Sequence, residues 1–264
     1  MRTLSIAALF VLIATASYAA DDAKDQKRLP TLFIIGDSTV RNGTRGQVGW
    51  GDPIKAMFDP SKIRVENRAL GGRSSRTFLT EGLWGKVLDQ VKPGDFVIMQ
   101  FGHNDGGPLT GAPGGRNRAS IKGNGDESQE ITNPTTGQKE VVHSYGWYLR
   151  KYVADAKARG ATAIVCSPIP RNIWRDGKVA RAGRDYGKWA GEAAEGGGAF
   201  FIDLNAIIAD KYDAEGEKKV AEGYFGPTDH THTTPAGAQA NAESVVEGIR
   251  KLDKCGLKDH LAAK

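Results

Sequence analysis

The sequence predicts an α/β fold, a parallel sheet with helices on both faces. Two observations carry that reading. Five short apolar runs recur along the chain, at residues 32–36, 63–67, 96–100, 162–167 and 200–203, and several are continuously apolar, as strands buried on both faces are. Stretches with helical spacing lie between them, and strands alternating with helices argue for right-handed crossovers.

Residues 1–19 have the layout of a secretory signal peptide: Arg2, an apolar stretch over 4–14, then Ser17-Tyr18-Ala19 with small residues at the cleavage spacing. That stretch is shorter than the roughly 20 residues that span a bilayer. The expected location is therefore secreted or periplasmic, with no membrane contact once the leader is removed. Residues 20–30 are charged and read as a flexible lead-in. No linker or internal repeat divides 31–264, which reads as one domain.

Within that domain the first strand, 32–36, runs into Gly36-Asp37-Ser38-Thr39. A helix is expected over 50–58, with Pro53 at a first-turn position. The strand at 63–67 leads to Gly71-Gly72-Arg73-Ser74, and a helix at 83–91 precedes the strand at 96–100. That strand ends in Phe101-Gly102-His103-Asn104-Asp105. The clearest helix covers 145–159, with Tyr148, Tyr152 and Ala156 on one face. Strand 162–167, helix 185–195, strand 200–203 and helix 235–252 complete the alternation, and Asp229-His230-Thr231-His232 sits on the loop expected before the last helix. One stretch breaks the rhythm. Residues 106–143 are rich in Gly, Asn, Thr and charge, and insertions of that length are usually functional or mobile. Within it, 128–132 and 138–144 flank Asn133-Pro134-Thr135-Thr136-Gly137 as a small β-hairpin. Following Asn104 directly, it either walls the site or is a solvated loop.

Composition narrows the function. Of 264 residues, 39% are hydrophobic and 25% charged, as in a globular protein, and 34 glycines imply many loops. The net charge of +5 is scattered, with no basic helix and no aromatic-interleaved basic stripe, which argues against nucleic-acid binding. Cys166 and Cys255 are the two cysteines; unpaired thiols are expected, since a domain of this size does not need a disulfide. Neither has zinc-site neighbours.

The four motif segments together offer a serine, a glycine amide, an asparagine amide and an Asp/His pair. Acyl transfer needs these parts: nucleophile, base, orienter and oxyanion donors. Ligands of an open parallel sheet sit beyond the carboxyl ends of its strands, so the Ser38, Gly72 and Asn104 loops should gather on one edge. Ser38 is the expected nucleophile; alone it would read rather as a helix N-cap or turn serine, and the companion segments reverse that. His232 is the expected base and Asp229 its orienter; His230 competes but adjoins Asp229 and would point away. The expected oxyanion donors are the Ser38 and Gly72 amides and the Asn104 side chain, with Gly71 the alternative to Gly72. Asp37 reads as a turn-holder and His103 as a packed residue. Arg73, Arg76 and Trp50 are candidate cleft-lining residues for substrate.

Gly36-Asp37-Ser38-Thr39, Gly72-Arg73-Ser74, Gly102-His103-Asn104-Asp105 and Asp229-x-x-His232 resemble the four blocks of the SGNH (GDSL-type) hydrolases. Phe-Gly-His-Asn-Asp-Gly-Gly and Asp-His-Thr-His-Thr point to the rhamnogalacturonan acetylesterase branch, carbohydrate esterase family twelve. The resemblance covers about residues 32–251. It implies a three-layer α/β/α flavodoxin-like fold with a five-stranded parallel sheet, and a serine esterase mechanism without metal or cofactor. It also implies O-acetylated pectic polysaccharide as the partner. A monomer is expected. Thr39 departs from the leucine that follows the serine in the lipase-like pattern, which points away from lipid chains.

Three other readings stay in view. Acetylated xylan or a short lipid ester would use the same mechanism. A metal-dependent phosphoesterase would draw on Asp37, His103, Asn104, Asp229 and His230, but the second bridging carboxylate is not evident. A non-catalytic carbohydrate-binding protein would not need all five positions filled with competent groups.

Overall fold

In a computed structural model of the chain, residues 28–111, 116–182 and 184–263 are described. The expected leader (1–19) and most of the lead-in lie outside them.

The elements run β1 (Thr31–Gly36), a 3-10 turn (Pro53–Met57), β2 (Arg64–Asn67), α1 (Ser75–Thr80), α2 (Leu83–Leu88), β3 (Phe96–Gln100), β4 (Ser128–Thr132) and β5 (Lys139–His143). They continue with α3 (Tyr145–Ala158), β6 (Thr162–Cys166), β7 (Trp174–Arg175), β8 (Lys178–Val179), α4 (Tyr186–Gly197) and β9 (Phe200–Ile202). The chain closes with α5 (Leu204–Glu215), α6 (Glu217–Tyr224), β10 (Phe225–Gly226), β11 (Asp229–Thr233), α7 (Pro235–Lys251) and a last 3-10 turn (Gly256–His260).

Five strands form a parallel sheet in the order β2-β1-β3-β6-β9. Counting sheet strands alone, this is the flavodoxin-like order 2-1-3-4-5. The apolar runs explain the layers, because successive side chains of a strand point to opposite faces. Leu32, Ile34, Ile98, Ile164 and Ile202 enter one core, which Ile208 of α5 and Val245 and Ile249 of α7 close. Phe33, Ile35, Val97, Met99 and Val165 enter the other, closed by Val87 of α2, Tyr152 of α3 and Ala190 of α4.

Caps set the helix starts. Ser144, Asp203 and Thr234 each accept a hydrogen bond from the backbone N–H three residues on, and Ser74 forms a reciprocal capping box with Thr77. The expected helix over 50–58 shrinks to a 3-10 turn because the Trp50 and Gly51 amides donate to the Thr39 and Val40 carbonyls. Helices α1, α5 and α6 were not foreseen. The first has six residues, too few to show a period. The other two form one stretch broken at Gly216, whose φ of +86° favours glycine. Cys166 and Cys255 are both free and buried. Among the described residues no helix is long and apolar enough to cross a membrane.

The insertion holds the expected hairpin: β4 pairs antiparallel with β5 from Ser128↔His143 to Thr132↔Lys139. Its Glu140 joins Arg76 of α1 at 2.7 Å. The Arg76 guanidinium also donates to the Leu109 and Ala119 carbonyls, each at 2.8 Å.

Candidate active site

β1 and β3 are adjacent and in register at their ends, Gly36 opposite Gln100. The chain order reverses between these two strands, so their following loops open a crevice at the sheet's carboxyl edge. Ser38 and Asn104 lie on those loops. A tight turn presents Ser38: the Asp37 carboxylate accepts from the Thr39 amide at 2.9 Å and the Thr39 hydroxyl at 2.7 Å. Asp37 is fully buried, yet its carboxyl sits below the ordinary carboxylate value, because nearby His103 and the Thr39 bonds outweigh the penalty of burial.

Opposite Ser38 stands β11. Sequence reading placed Asp229 and His232 on a loop, whereas they occupy a strand paired with β10 through an irregular register. Asp229 folds back on its own strand: one carboxylate oxygen accepts from the Thr231 amide at 2.7 Å and the His232 amide at 2.9 Å. The other takes His232 Nδ1–H at 2.7 Å and Gln47 Nε2–H at 2.9 Å. Burial pushes this carboxyl up, but the His232 and Thr231 bonds more than offset it and hold it down to about 2. With Nδ1 protonated toward the carboxylate, Nε2 is left as an acceptor, and it lies 2.8 Å from Ser38 Oγ. His230 is exposed and makes no side-chain bond to Asp229 among the described residues.

The remaining wall comes from the loop after β2. Gly72 has φ +80°, a backbone state that favours glycine, and a Cβ there would fall 1.9 Å from Arg116 Nη1. A Cβ on Gly71 would sit 3.5 Å from Ser38 Cβ, so this loop packs directly on the serine. Asn104 is 8% exposed, and its amide is fixed by donating to the Arg73 carbonyl at 2.8 Å, which leaves its second N–H free. The Ser38 and Gly72 amides donate to no acceptor among the described residues. Ser38, Gly72, Asn104 and His232 line one cleft of about 410 Å³.

Behind Asn104, the fully buried Asp105 accepts from the Ser75 amide at 3.1 Å, the Ser75 hydroxyl and the Ser120 hydroxyl at 3.0 Å. Burial raises its carboxyl to about 6 against the pull of those bonds.

Two expected cleft residues lie elsewhere. Trp50 is fully buried, its indole N–H donating to Gln100 at 2.9 Å in the sheet. Arg76 is also fully buried, its donors directed to the insertion. Neither faces the cleft. Arg73 is part-exposed beside it, paired to Glu81 at 2.9 Å. Sequence reading missed Gln47, which no motif marks, and Arg116 and Arg118, which line the cleft from an insertion without periodicity. Among the described residues no three His, Cys, Asp or Glu side chains converge as a metal site would require, so Asp37, His103, Asp229 and His230 do not form a ligand cluster.

Residues 34–240 match the GDSL-like lipase/acylhydrolase family. The chain is 32% identical over 219 residues to a rhamnogalacturonan acetylesterase of Emericella nidulans, covering 83% of this chain and 84% of that one. It is 30% identical to a probable rhamnogalacturonan acetylesterase of Bacillus subtilis, covering 84% and 93%. Among solved structures, a Bacillus subtilis protein, YXIM, superposes with a TM-score of 0.67 at 25% identity, covering 85% of this chain and 57% of that longer one. An acetylxylan esterase from Geobacillus stearothermophilus superposes with a TM-score of 0.55 at 19% identity, covering 85% and 95%, a likeness of fold. The chain belongs to the GDSL-like lipase/acylhydrolase family and is a carboxylic ester hydrolase.

Proposed function

We propose that this chain is an exported acetylesterase that removes O-acetyl groups from pectic polysaccharide through a Ser38–His232–Asp229 triad. The observation that carries the reading is the unbroken hydrogen-bond chain from Ser38 Oγ through His232 to Asp229 beside unpaired amides. The names of the relatives support the substrate class, and the leader layout of residues 1–19 supports export.

In this mechanism Ser38 Oγ attacks the acetyl carbonyl carbon while His232 Nε2 takes the hydroxyl proton. The carbonyl π pair moves onto oxygen, and that oxyanion is received by the Ser38 and Gly72 amides and Asn104 Nδ2. Asp229, ionised across the neutral range, stabilises the imidazolium. Collapse of the tetrahedral species breaks the bond to the sugar oxygen, which takes the proton from His232. The acetyl group now rests on Ser38. Water then attacks that ester, gives a proton to His232, and acetate leaves as Ser38 recovers its hydrogen.

The test is acetate release by wild type and Ser38→Ala from acetylated pectin, acetylated xylan and p-nitrophenyl esters of rising chain length. The variant should fold with an unchanged melting temperature and lose essentially all turnover. Near-normal turnover would remove Ser38 from the chemistry. Faster release from xylan or longer esters than from pectin would keep the mechanism and replace the substrate.

A further inference from the structure

We propose that Arg116 and Arg118 form a subsite for the carboxylate of a uronic acid sugar neighbouring the acetylated residue. The proposal rests on the esterase reading above and assigns part of the insertion to substrate recognition.

Both arginines stand where two cavities meet. One is the 410 Å³ catalytic cleft; the other is a groove of about 660 Å³ between α1 and the turn of the β4–β5 hairpin. Arg116 Nη1 lies against the Gly72 backbone, 1.9 Å from where a Cβ would be, and Arg118 Nη1 donates to the Gly72 carbonyl at 3.3 Å. The two guanidinium groups thus converge on one residue of the cleft wall.

Several other arginines have carboxylate partners. Arg73 has Glu81, Arg76 has Glu140, Arg150 has Asp126 and Arg181 has Asp210 and Asp213. Arg116 and Arg118 pair with no carboxylate among the described residues. The groove's own acids are engaged, Glu81 by Arg73 and Glu140 by Arg76. Burial lowers the Arg118 guanidinium below its ordinary value, and the charge of Arg116 adds to that against the opposing pull of the more distant Asp37 and Asp105 carboxylates. An anion between two such groups relieves the repulsion and accepts their N–H groups in the planar geometry a carboxylate offers.

Sugar chemistry fits the rest of the groove. Thr135, Thr136 and Gln138 of the hairpin turn line it with neutral polar side chains, which suit hydroxyl groups. Acetate, the reaction product, also carries a carboxylate, but it would fill only a small part of 660 Å³. A uronate within a polymer reaches the arginines while its neighbour's ester sits at Ser38.

Binding is measured calorimetrically on the full chain carrying Ser38→Ala, so that no turnover is needed. The ligands are trigalacturonate, its fully methyl-esterified form, sodium acetate and neutral xylotriose. Trigalacturonate should bind best and weaken as salt rises. Adding Arg116→Ala should weaken it tenfold or more, Arg116→Lys less, and methyl esterification of the ligand should reproduce the Arg116→Ala loss. No binding of trigalacturonate, equal affinity for acid and methyl ester, acetate binding as tightly as the oligomer, or indifference to Arg116→Ala would each overturn the subsite. Failure of the esterase reading would show separately, as turnover retained by Ser38→Ala.

Discussion

The rim that carries the proposed triad and the insertion that walls it are held together in different ways. On the rim, the turns that carry Ser38 and Asp229 are each shaped by bonds short in sequence, and the long-range bonds of Ser38 to His232 and Gln47 to Asp229 then join them. Asp37 holds Thr39 two residues away, and Asp229 holds Thr231 and His232 two and three away. The insertion is held by bonds that cross the chain: Arg76 to Glu140 over 64 residues, Arg76 to Ala119 over 43, and Asp105 to Ser120 over 15. A local bond needs only the right residue types at the right spacing. A crossing bond needs the whole fold first. The turns that carry Ser38 and Asp229 therefore shape themselves locally, while the insertion is tied to the rest of the fold partly through buried Arg76 and Asp105.

The largest effect should come from the rim. Asp229→Asn leaves the shape of the strand in place but removes the charge that orients the His232 ring and stabilises its imidazolium. Turnover of p-nitrophenyl acetate should fall by about 10⁴-fold, with little change in KM. A loss under tenfold would mean that Asp229 is a turn residue and that the rim's local bonds are structural only.

The next variant cuts the crossing bonds. Arg76→Ala removes the fully buried guanidinium from part-buried Glu140 and from the Leu109 and Ala119 carbonyls, and removing one member of a buried pair costs up to about 3–5 kcal/mol. Thermal unfolding should show that loss. Hydrolysis of acetylated polysaccharide should fall far more than hydrolysis of p-nitrophenyl acetate, which needs the rim and not the wall. Equal losses on both substrates would erase the distinction between the two regions.

The same division sets what was legible in the sequence. Ser38, Gly72, Asn104, Asp229 and His232 could be singled out because their segments combine chemistry-bearing residue types at fixed short spacings; the sheet order brings the first three to one edge and β11 lays His232 against Ser38. The five strands were legible for a related reason: burial on both faces leaves an uninterrupted apolar run. Trp50 and Arg76 were misplaced because a large polar-tipped side chain beside a motif looks like cleft lining. Their partners, Gln100 and Glu140, lie 50 and 64 residues away, and no local pattern announces them. Arg116 and Arg118 sit in a glycine-rich stretch with no period. Only the fold shows that they arrive without a carboxylate.

Asp105 joins the two regions and allows the comparison to be sharpened by pH. It follows Asn104 of the rim and takes hydrogen bonds from Ser75 of α1 and Ser120 of the insertion. Its carboxyl titrates at about 6 in the fold, against 3.8 for the free side chain. The folded state therefore holds the proton more tightly than the unfolded chain, so this group costs nothing at pH below the unfolded value. The cost grows as pH rises from about 4 and is fully present above about 6. A gap of about two units at 1.36 kcal/mol per unit sets it on the order of 3 kcal/mol. Asp105→Asn keeps an oxygen for the Ser75 and Ser120 donors and removes the charge. Urea unfolding of both proteins at pH 4, 6 and 8 should show the variant gaining on wild type by up to that amount as pH rises. Parallel stability curves would mean that the carboxylate is compensated where it lies, and that the joint between rim and wall carries no pH dependence of its own.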